Sequence, residues 1–365
     1  MKTLMLNWQN IIIGVFLSKK ILIVCDSCSG GIFDYYRILY RKLVKNLNIE
    51  FLFHKQEGIF GRLRFYGKLV QRLIRENNII LDVQCLIWPV TLFILPILKL
   101  RHHTLVFEAH DDPLTTRTKY RPKFIRKMIL RNSDKIIAHS VYSEKIMKML
   151  GYENVVYIPL GSGVENPKVL PQRKAREKLR IRRENVILLF GLITRNKGLD
   201  ILLKSIPFIK RCVEDVLVIV AGCIVDDWEV YERIIRDLRI QDDLLVDSRY
   251  IPWSELSIYF SACDVVVTPY KEITNSIVPF VAYAFKRPVV ASDIGAFREV
   301  VRDKETGLLV EKGNPKSLAK GLCLLLKNKK LCRRYGITGN KMLKTVFSWK
   351  SIKESYTKLF SDIVS

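Results

Sequence analysis

The sequence predicts an α/β protein made of two doubly wound, parallel-sheet domains. Three observations predict it. The chain has 365 residues, which is long for a single core. Short apolar runs alternate with amphipathic stretches, as in successive βα units. A glycine- and proline-punctuated break, Gly161 to Pro171, interrupts this rhythm, which then restarts.

In the first half, Ile21–Cys25 reads as a buried strand. The glycine loop Ser29-Gly30-Gly31 follows it, and then a helix from about Asp34 to Leu47. Further strands are expected at Ile49–Phe53, Cys85–Trp88, Thr104–Ala109, Lys135–Ala138 and Val155–Ile158. The run Cys85 to Leu100 is strongly apolar but holds Pro89 and Pro96, so it reads as a strand, a turn and the start of a helix rather than a membrane span. In the second half, strands are expected at Val186–Phe190, Val216–Val220, Leu244–Val246, Val265–Thr268 and Pro288–Ala291. Helices are expected at Gly198–Lys210 and Trp228–Leu238, with a last amphipathic helix at Trp349–Ile363. The expected boundaries are an N-terminal domain at 1–165, a linker at 166–180, a C-terminal domain at 181–345 and a returning helix in 346–365. Strand carboxyl ends of two such domains would line a cleft. Residues 1–18 read as a frayed extension or as a segment that touches a membrane.

Composition narrows the class. With 49% hydrophobic and 27% charged residues, the chain is neither disordered nor fibrous. Eight scattered cysteines, several within apolar runs, suit a reducing cytoplasm and not a disulfide framework. Sixty-one Lys and Arg against 36 Asp and Glu give a net charge of +25, which attracts polyanions without choosing among nucleic acid, anionic membrane and phosphorylated substrate.

Four stretches carry candidate chemistry. Phe190-Gly-Leu-Ile-Thr-Arg-Asn-Lys-Gly198 lies between a strand and a helix. Its glycines, Gly191 and Gly198, let backbone approach a ligand, and Arg195 and Lys197 place positive charge where a diphosphate leaving group would develop negative charge. The same residues also fit a plain turn with a solvated lysine. Next, Pro269 to Val278 contains Thr274, Asn275 and Ser276, which are N-cap types ahead of an apolar helix, with Glu272 upstream able to accept hydrogen bonds. An ordinary capped helix fits as well. Then, Phe107-Glu-Ala-His-Asp-Asp-Pro113 puts His110 at the carboxyl end of an expected strand, where ligands bind; a histidine satisfied by Asp111 or Asp112 is the plainer alternative. Finally, Arg117 to Arg131 holds seven Lys and Arg and no acid, interleaved with apolar residues. That pattern suits an anionic membrane surface or a solvated helix face. Cys25-Asp-Ser-Cys28 has CxxC spacing but no partner ligands.

Taken in order, these stretches resemble the retaining GT-B glycosyltransferases, the glycosyl transferases group 1 family. The resemblance runs from about Val186 to Gly307, through Phe190-Gly191, Lys197-Gly198, Val220-Ala-Gly222, Arg249-Tyr-Ile-Pro252, Ala262-Cys-Asp264, Pro269-Tyr270, Pro288–Ala291, Gly295, Glu299 and Thr306-Gly307. It is thinner in the first half, at Gly30-Gly31, His110-Asp111, Ser133–Ser140 and Ile158-Pro159, and returns at Phe347-Ser-Trp349.

The resemblance implies a GT-B fold, two Rossmann-like domains facing across a cleft, and a nucleotide-diphosphate-sugar donor. Lys197 with Arg195 would hold the diphosphate, backbone at Asn275, Ser276 and Ile277 would cap it, and Glu272 would touch the sugar. Tyr250 and Ile251 would lie near the nucleobase, His110 would face the sugar, and Gly31 would leave room for phosphate or acceptor. Retention would follow if the donor's own diphosphate helps deprotonate the acceptor.

No Asp-x-Asp occurs, so neither a metal nor another cofactor is expected. Expected partners are the nucleotide-sugar donor, a glycan or lipid-linked acceptor and an anionic membrane face at Arg117–Arg131, without nucleic acid; the expected place is the cytoplasm or its inner membrane face. Two positions depart from the family. Val281 stands where many members have a ribose-contacting glutamate, and Leu192 stands where an arginine is usual. These leave open an inactive scaffold of the same fold, as the charge leaves open a polyanion-binding protein.

Overall fold

The computed structural model describes residues 19–25, 35, 38, 39, 43, 48–53, 59–83, 88–110, 123–164 and 166–364. The chain divides into two compact units, Met1–Leu160 with Trp349–Ser365, and Gly161–Ser348.

The first unit is a six-stranded parallel sheet in the order β2-β1-β3-β4-β5-β6. Its strands are β1 (Ile21–Cys25), β2 (Ile49–Phe53), β3 (Ile80–Val83), β4 (Thr104–Ala109), β5 (Lys135–Ala138) and β6 (Val155–Tyr157). Helices α1 (Ile59–Arg75), α2 (Trp88–Leu100), α3 (Lys123–Asn132) and α4 (Val141–Met149) connect them. One apolar cluster joins Leu22 and Val24 of β1 to Leu69 of α1, Ile94 of α2, Ile129 of α3 and Met147 of α4. The four helices therefore cover the same face of the sheet, as right-handed crossovers in one direction require.

One expectation changes here. The third strand is Ile80–Val83, not Cys85–Trp88: residues 84–87 lie outside the described residues, and Trp88 opens a helix. Asp82 interrupts the apolar run at Ile79–Val83 and hides the strand, although its side chain is fully buried. Pro96 sits inside α2 without ending it.

The second unit is also a six-stranded parallel sheet, in the order β12-β11-β10-β7-β8-β9. It contains β7 (Asn185–Phe190), β8 (Val216–Ala221), β9 (Leu244–Asp247), β10 (Val265–Thr268), β11 (Val289–Ser292) and β12 (Gly307–Val310). The Gly307–Val310 strand is short and was not expected from the sequence. The chain leaves β7 in one direction, through β8 and β9, and returns to β10 on its other side. The switch point thus falls between the carboxyl ends of β7 and β10, where ligands bind in such sheets. Helix α5 (Gln172–Lys178) lies in the stretch read as a linker, and it is fastened to this unit. Arg176 reaches the Asp264 carboxylate at 2.9 Å, and that carboxylate also accepts from the Val186 amide at 2.8 Å. The last helix, α13 (Trp349–Val364), belongs to the first unit, where Trp349 meets Tyr35 at 5.5 Å between ring centroids.

Candidate functional site

At the switch point of the second unit, β7 ends at Phe190 and turns at Gly191, whose φ is 109°. A side chain there would point at Val278, the first residue of helix α9 (Val278–Ala284), 3.9 Å away. After the turn, Arg195–Lys197 forms one tight 3-10 turn, and Gly198 adopts φ 71° before helix α6 (Leu199–Lys210) begins. Only glycine fits at 198. A Cβ would stand 1.9 Å from the Pro269 carbonyl oxygen, because this turn packs backbone to backbone on the loop after β10.

Three bonds lock the two loops together. The Lys271 amide donates to the Asn196 carbonyl at 2.8 Å, the Asn196 side chain donates to the Glu272 carbonyl at 2.8 Å, and the Lys271 ammonium reaches Asp200 at 2.9 Å. Within this frame, the Lys197 ammonium lies 4.0 Å from the centre of the buried Tyr270 ring. An aromatic face under an ammonium restricts it without neutralising it. Arg195 is exposed on the same turn, and Glu272 is half-buried on the facing loop.

Helix α9 starts at Val278. The residue before it, Ile277, caps it without a side-chain bond, so none of the three expected cap residues is the N-cap. Instead, Ser276 Oγ accepts from the Val278 amide at 3.3 Å and tightens the turn into the helix. Ile277 also borders Gly163 alongside Trp253, which places it near the Tyr250–Trp253 loop. That loop is fixed by Arg249, which pairs with Asp247 at 3.2 Å and with Glu255. Ile251 is buried and Tyr250 is exposed. The sequence-predicted residues Gly191, Arg195, Lys197, Gly198, Glu272, Ser276 and Ile277 thus sit on adjoining loops at strand carboxyl ends, with Asn275 in the same loop. Gly31 lies outside the described residues. Val281 is buried within α9, and Leu192 is exposed where an arginine would be usual.

His110 follows β4 in the first unit and is largely buried. Sequence reasoning missed its two neighbours, Glu108 and His139. Glu108 is fully buried on β4, and its carboxylate lies 3.7 Å from His110 Nε2 and 3.4 Å from His139 Nε2. The two imidazoles stack with centroids 4.6 Å apart, and the His139 ring bonds the Ile158 carbonyl through Nδ1 at 2.9 Å. Burial pushes the Glu108 carboxyl above its usual range, an effect that His139 and Tyr356 partly oppose. The ligand atoms of Glu108, His110 and His139 lie within 4.8 Å of one another, the compact acid–imidazole group among the described residues. A charged residue inside the apolar strand Thr104–Ala109 was the visible signal for Glu108.

Residues 171–342 match the family described as Glycosyl transferases group 1. The chain is 29% identical over 224 residues to the phosphatidyl-myo-inositol mannosyltransferase of Mycobacterium leprae, a stretch that is 60% of this chain and 56% of that protein. It is 28% identical over 215 residues to a GDP-mannose-dependent alpha-(1-6)-phosphatidylinositol monomannoside mannosyltransferase of Mycolicibacterium smegmatis, 55% of each chain. The matched stretch therefore spans little more than half the length of these two relatives. Among solved structures, Anabaena HepE in complex with UDP and glucose superposes with a TM-score of 0.75 at 17% identity, covering 94% of this chain and all of that one. Sucrose-phosphate synthase from Thermosynechococcus elongatus gives 0.76 at 17% identity, over 94% and 99%. These likenesses show a shared fold. The chain has the GT-B fold, and residues 171–342, nearly all within its second unit, are similar to the glycosyl transferases group 1 family.

Proposed function

We propose that the protein transfers a sugar from a nucleotide-diphosphate donor to an acceptor hydroxyl with retention of configuration. The observation that carries this reading is the restrained Lys197 ammonium, held over Tyr270 between two interlocked loops at the switch point. A fixed cation stabilises charge that builds on a departing diphosphate better than a mobile one, because no reorganisation is needed at the moment of reaction. Arg195 adds a second charge at the same turn, and amides at Asn275, Ser276 and Ile277 would complete the cradle. Glu272 would accept hydrogen bonds from sugar hydroxyls, and His110 would contribute a hydrogen bond to the transferring sugar. Tyr250 and Ile251 would lie against the nucleobase, with contacts made through backbone.

The HepE structure contains UDP, which supports a uridine or related nucleoside diphosphate as the first probe. The acceptor is a glycan or a lipid-linked molecule; the two mannosyltransferases named above, which act on phosphatidylinositol compounds by their names, favour the lipid-linked choice. In this reading no metal takes part. The donor's diphosphate receives the acceptor proton on the face it leaves, so the enzyme's contribution is alignment and electrostatics. Free thiols at Cys212, Cys223, Cys263, Cys323 and Cys332 suit a cytoplasmic setting.

The test is a thermal-shift panel of nucleoside diphosphates and their sugars, followed by nuclear magnetic resonance of the product anomer. A ligand that binds only the folded state raises its apparent stability. Stabilisation by a nucleoside diphosphate and a product with the donor's anomeric configuration are expected. An inverted product would refute retention, and no shift with any nucleotide would refute the donor site.

A further inference from the structure

We propose that the outer face of helices α1, α2 and α3 is a docking surface for an anionic lipid bilayer. This deepens the lipid-linked acceptor reading given above, and it assigns the contact to residues in three helices, not to one basic stretch.

The three helices contain no aspartate or glutamate, but carry five cations on α1, one on α2 and four on α3. They are neighbours, α1 beside α2 and α2 beside α3, and they share one face of the sheet. All three follow parallel strands, so their amino-terminal turns lie at the same edge of the unit, the edge of the strand carboxyl ends. Near their amino-terminal ends α1 and α3 expose large apolar side chains, and α2 exposes them midway along its length. On α1, Phe60 is 87% and Leu63 62% exposed; on α2, Phe93 is 69% exposed beside Leu92; on α3, Phe124 is 57% exposed.

Single exposed apolar residues are ordinary, but a group from three adjacent helices that together carry ten cations and no acid marks an interaction surface. Of α1's cations, Arg72 is occupied by Glu50 and Glu76, whereas Arg62, Arg64 and Lys68 are exposed beside the aromatic residues. A bilayer with anionic headgroups satisfies both components together: phosphates meet the cations, and the phenyl rings enter the acyl boundary. A nucleic acid would meet the charge and stack bases on the exposed rings, and an acidic protein would need an apolar groove of its own; both are outcomes that flotation separates from a bilayer.

Flotation of the full chain with vesicles tests this, using pure phosphatidylcholine and phosphatidylcholine mixed with phosphatidylglycerol. The variants are F60S/F93S, which removes the rings, and R62E/K127E, which reverses charge at exposed positions; circular dichroism and melting confirm that each is folded. Wild type should float with the anionic vesicles only. F60S/F93S should lose about tenfold or more in partitioning, since each ring gives up apolar burial. R62E/K127E should lose binding in low salt, where headgroup attraction is least screened. Equal flotation on both vesicle types, or wild-type behaviour of both variants, would overturn the proposal. So would RNA binding or self-association that depends on this face without vesicle binding. Transfer to a water-soluble acceptor should be unchanged in both variants. A wild type that transfers sugar but does not float rejects only the surface, whereas flotation by a wild type that transfers no sugar rejects only the enzymatic reading.

Discussion

Replacement of Gly198 by alanine is the most direct test of the loop packing that holds Lys197. Its left-handed backbone, φ 71°, costs a non-glycine residue about 1–2 kcal/mol. The larger effect is steric. The new Cβ would lie 1.9 Å from the Pro269 carbonyl oxygen and 2.9 Å from its carbon, both backbone atoms that cannot rotate away. The turn must lift off the loop after β10 by more than an ångström. That movement strains the Lys271 amide bond to Asn196 and the Asn196 side-chain bond to Glu272, each worth about 0.5–1.5 kcal/mol net. Together the effects reach roughly 2–5 kcal/mol, spread between local stability and the position of the ammonium. Helices α6 and α9 are built on other contacts and should persist. G198A should therefore keep its circular dichroism spectrum and lose about a hundredfold or more in affinity for a nucleoside diphosphate, read by calorimetry, because about 2.7 kcal/mol of lost binding is two decades. Gly67, on exposed α1 with nothing within 4 Å of a built Cβ, supplies the control: G67A should be neutral or slightly stabilising. Wild-type diphosphate affinity in G198A would refute the idea that this backbone contact positions the cation.

Three further outcomes follow from the same geometry. K197A should lower turnover by ~10²-fold or more with a smaller change in donor binding, the scale of removing one donor to developing charge, and near-normal turnover would remove the lysine from the reaction. Because burial raises the Glu108 carboxyl, its folded form favours the proton: stability is fullest below the ordinary carboxylate range and falls as pH rises through the raised value. E108Q, which cannot ionise, should flatten that fall in a melting-temperature series from acid to mildly alkaline pH, and parallel curves for wild type and variant would refute it. Activity should survive EDTA; loss on chelation and rescue by a divalent cation would instead direct attention to Glu108, His110 and His139.

Much of the second unit was legible because its strands are nearly pure apolar runs and its loops contain glycines whose backbone demands are local. Gly191 and Gly198 could be read as close-approach positions, and both have positive φ. What the sequence hid depends on distance in the fold. Asp82 disguised β3, because a buried carboxylate looks like a loop residue until its surroundings are known. Glu108 lies on β4 and His139 directly follows the adjacent strand β5, 31 positions away, and only strand pairing brings them together. The Tyr270 ring beneath Lys197 joins loops that follow β7 and β10, and no spacing rule connects them. On α1 the exposed Phe60 and Leu63 stand near the buried Phe65, Tyr66 and Leu69, and apolar residues on both faces blur which face is outward.

In the proposed reading, Val281 bears on the nucleoside end of the donor and not on its diphosphate. Every residue of α9 is buried, Val281 included, so a carboxylate at that position would have to reach out of the helix's packing or be desolvated. Valine removes that demand and with it a hydrogen-bond acceptor for a ribose. The loop pair that fixes Lys197 uses Asn196, Gly198, Pro269 and Lys271, none of which touches Val281 in its bonding. In the proposed reading, diphosphate recognition and nucleoside recognition are therefore separable. A lost ribose contact is made equally in ground and transition states, and such uniform binding sets the concentration at which donor saturates the site more than the rate of the bound complex. V281E would accordingly act on donor KM if the new carboxylate reaches a ribose, and on folding if it does not; a rise in kcat alone would show that the two recognitions are coupled after all.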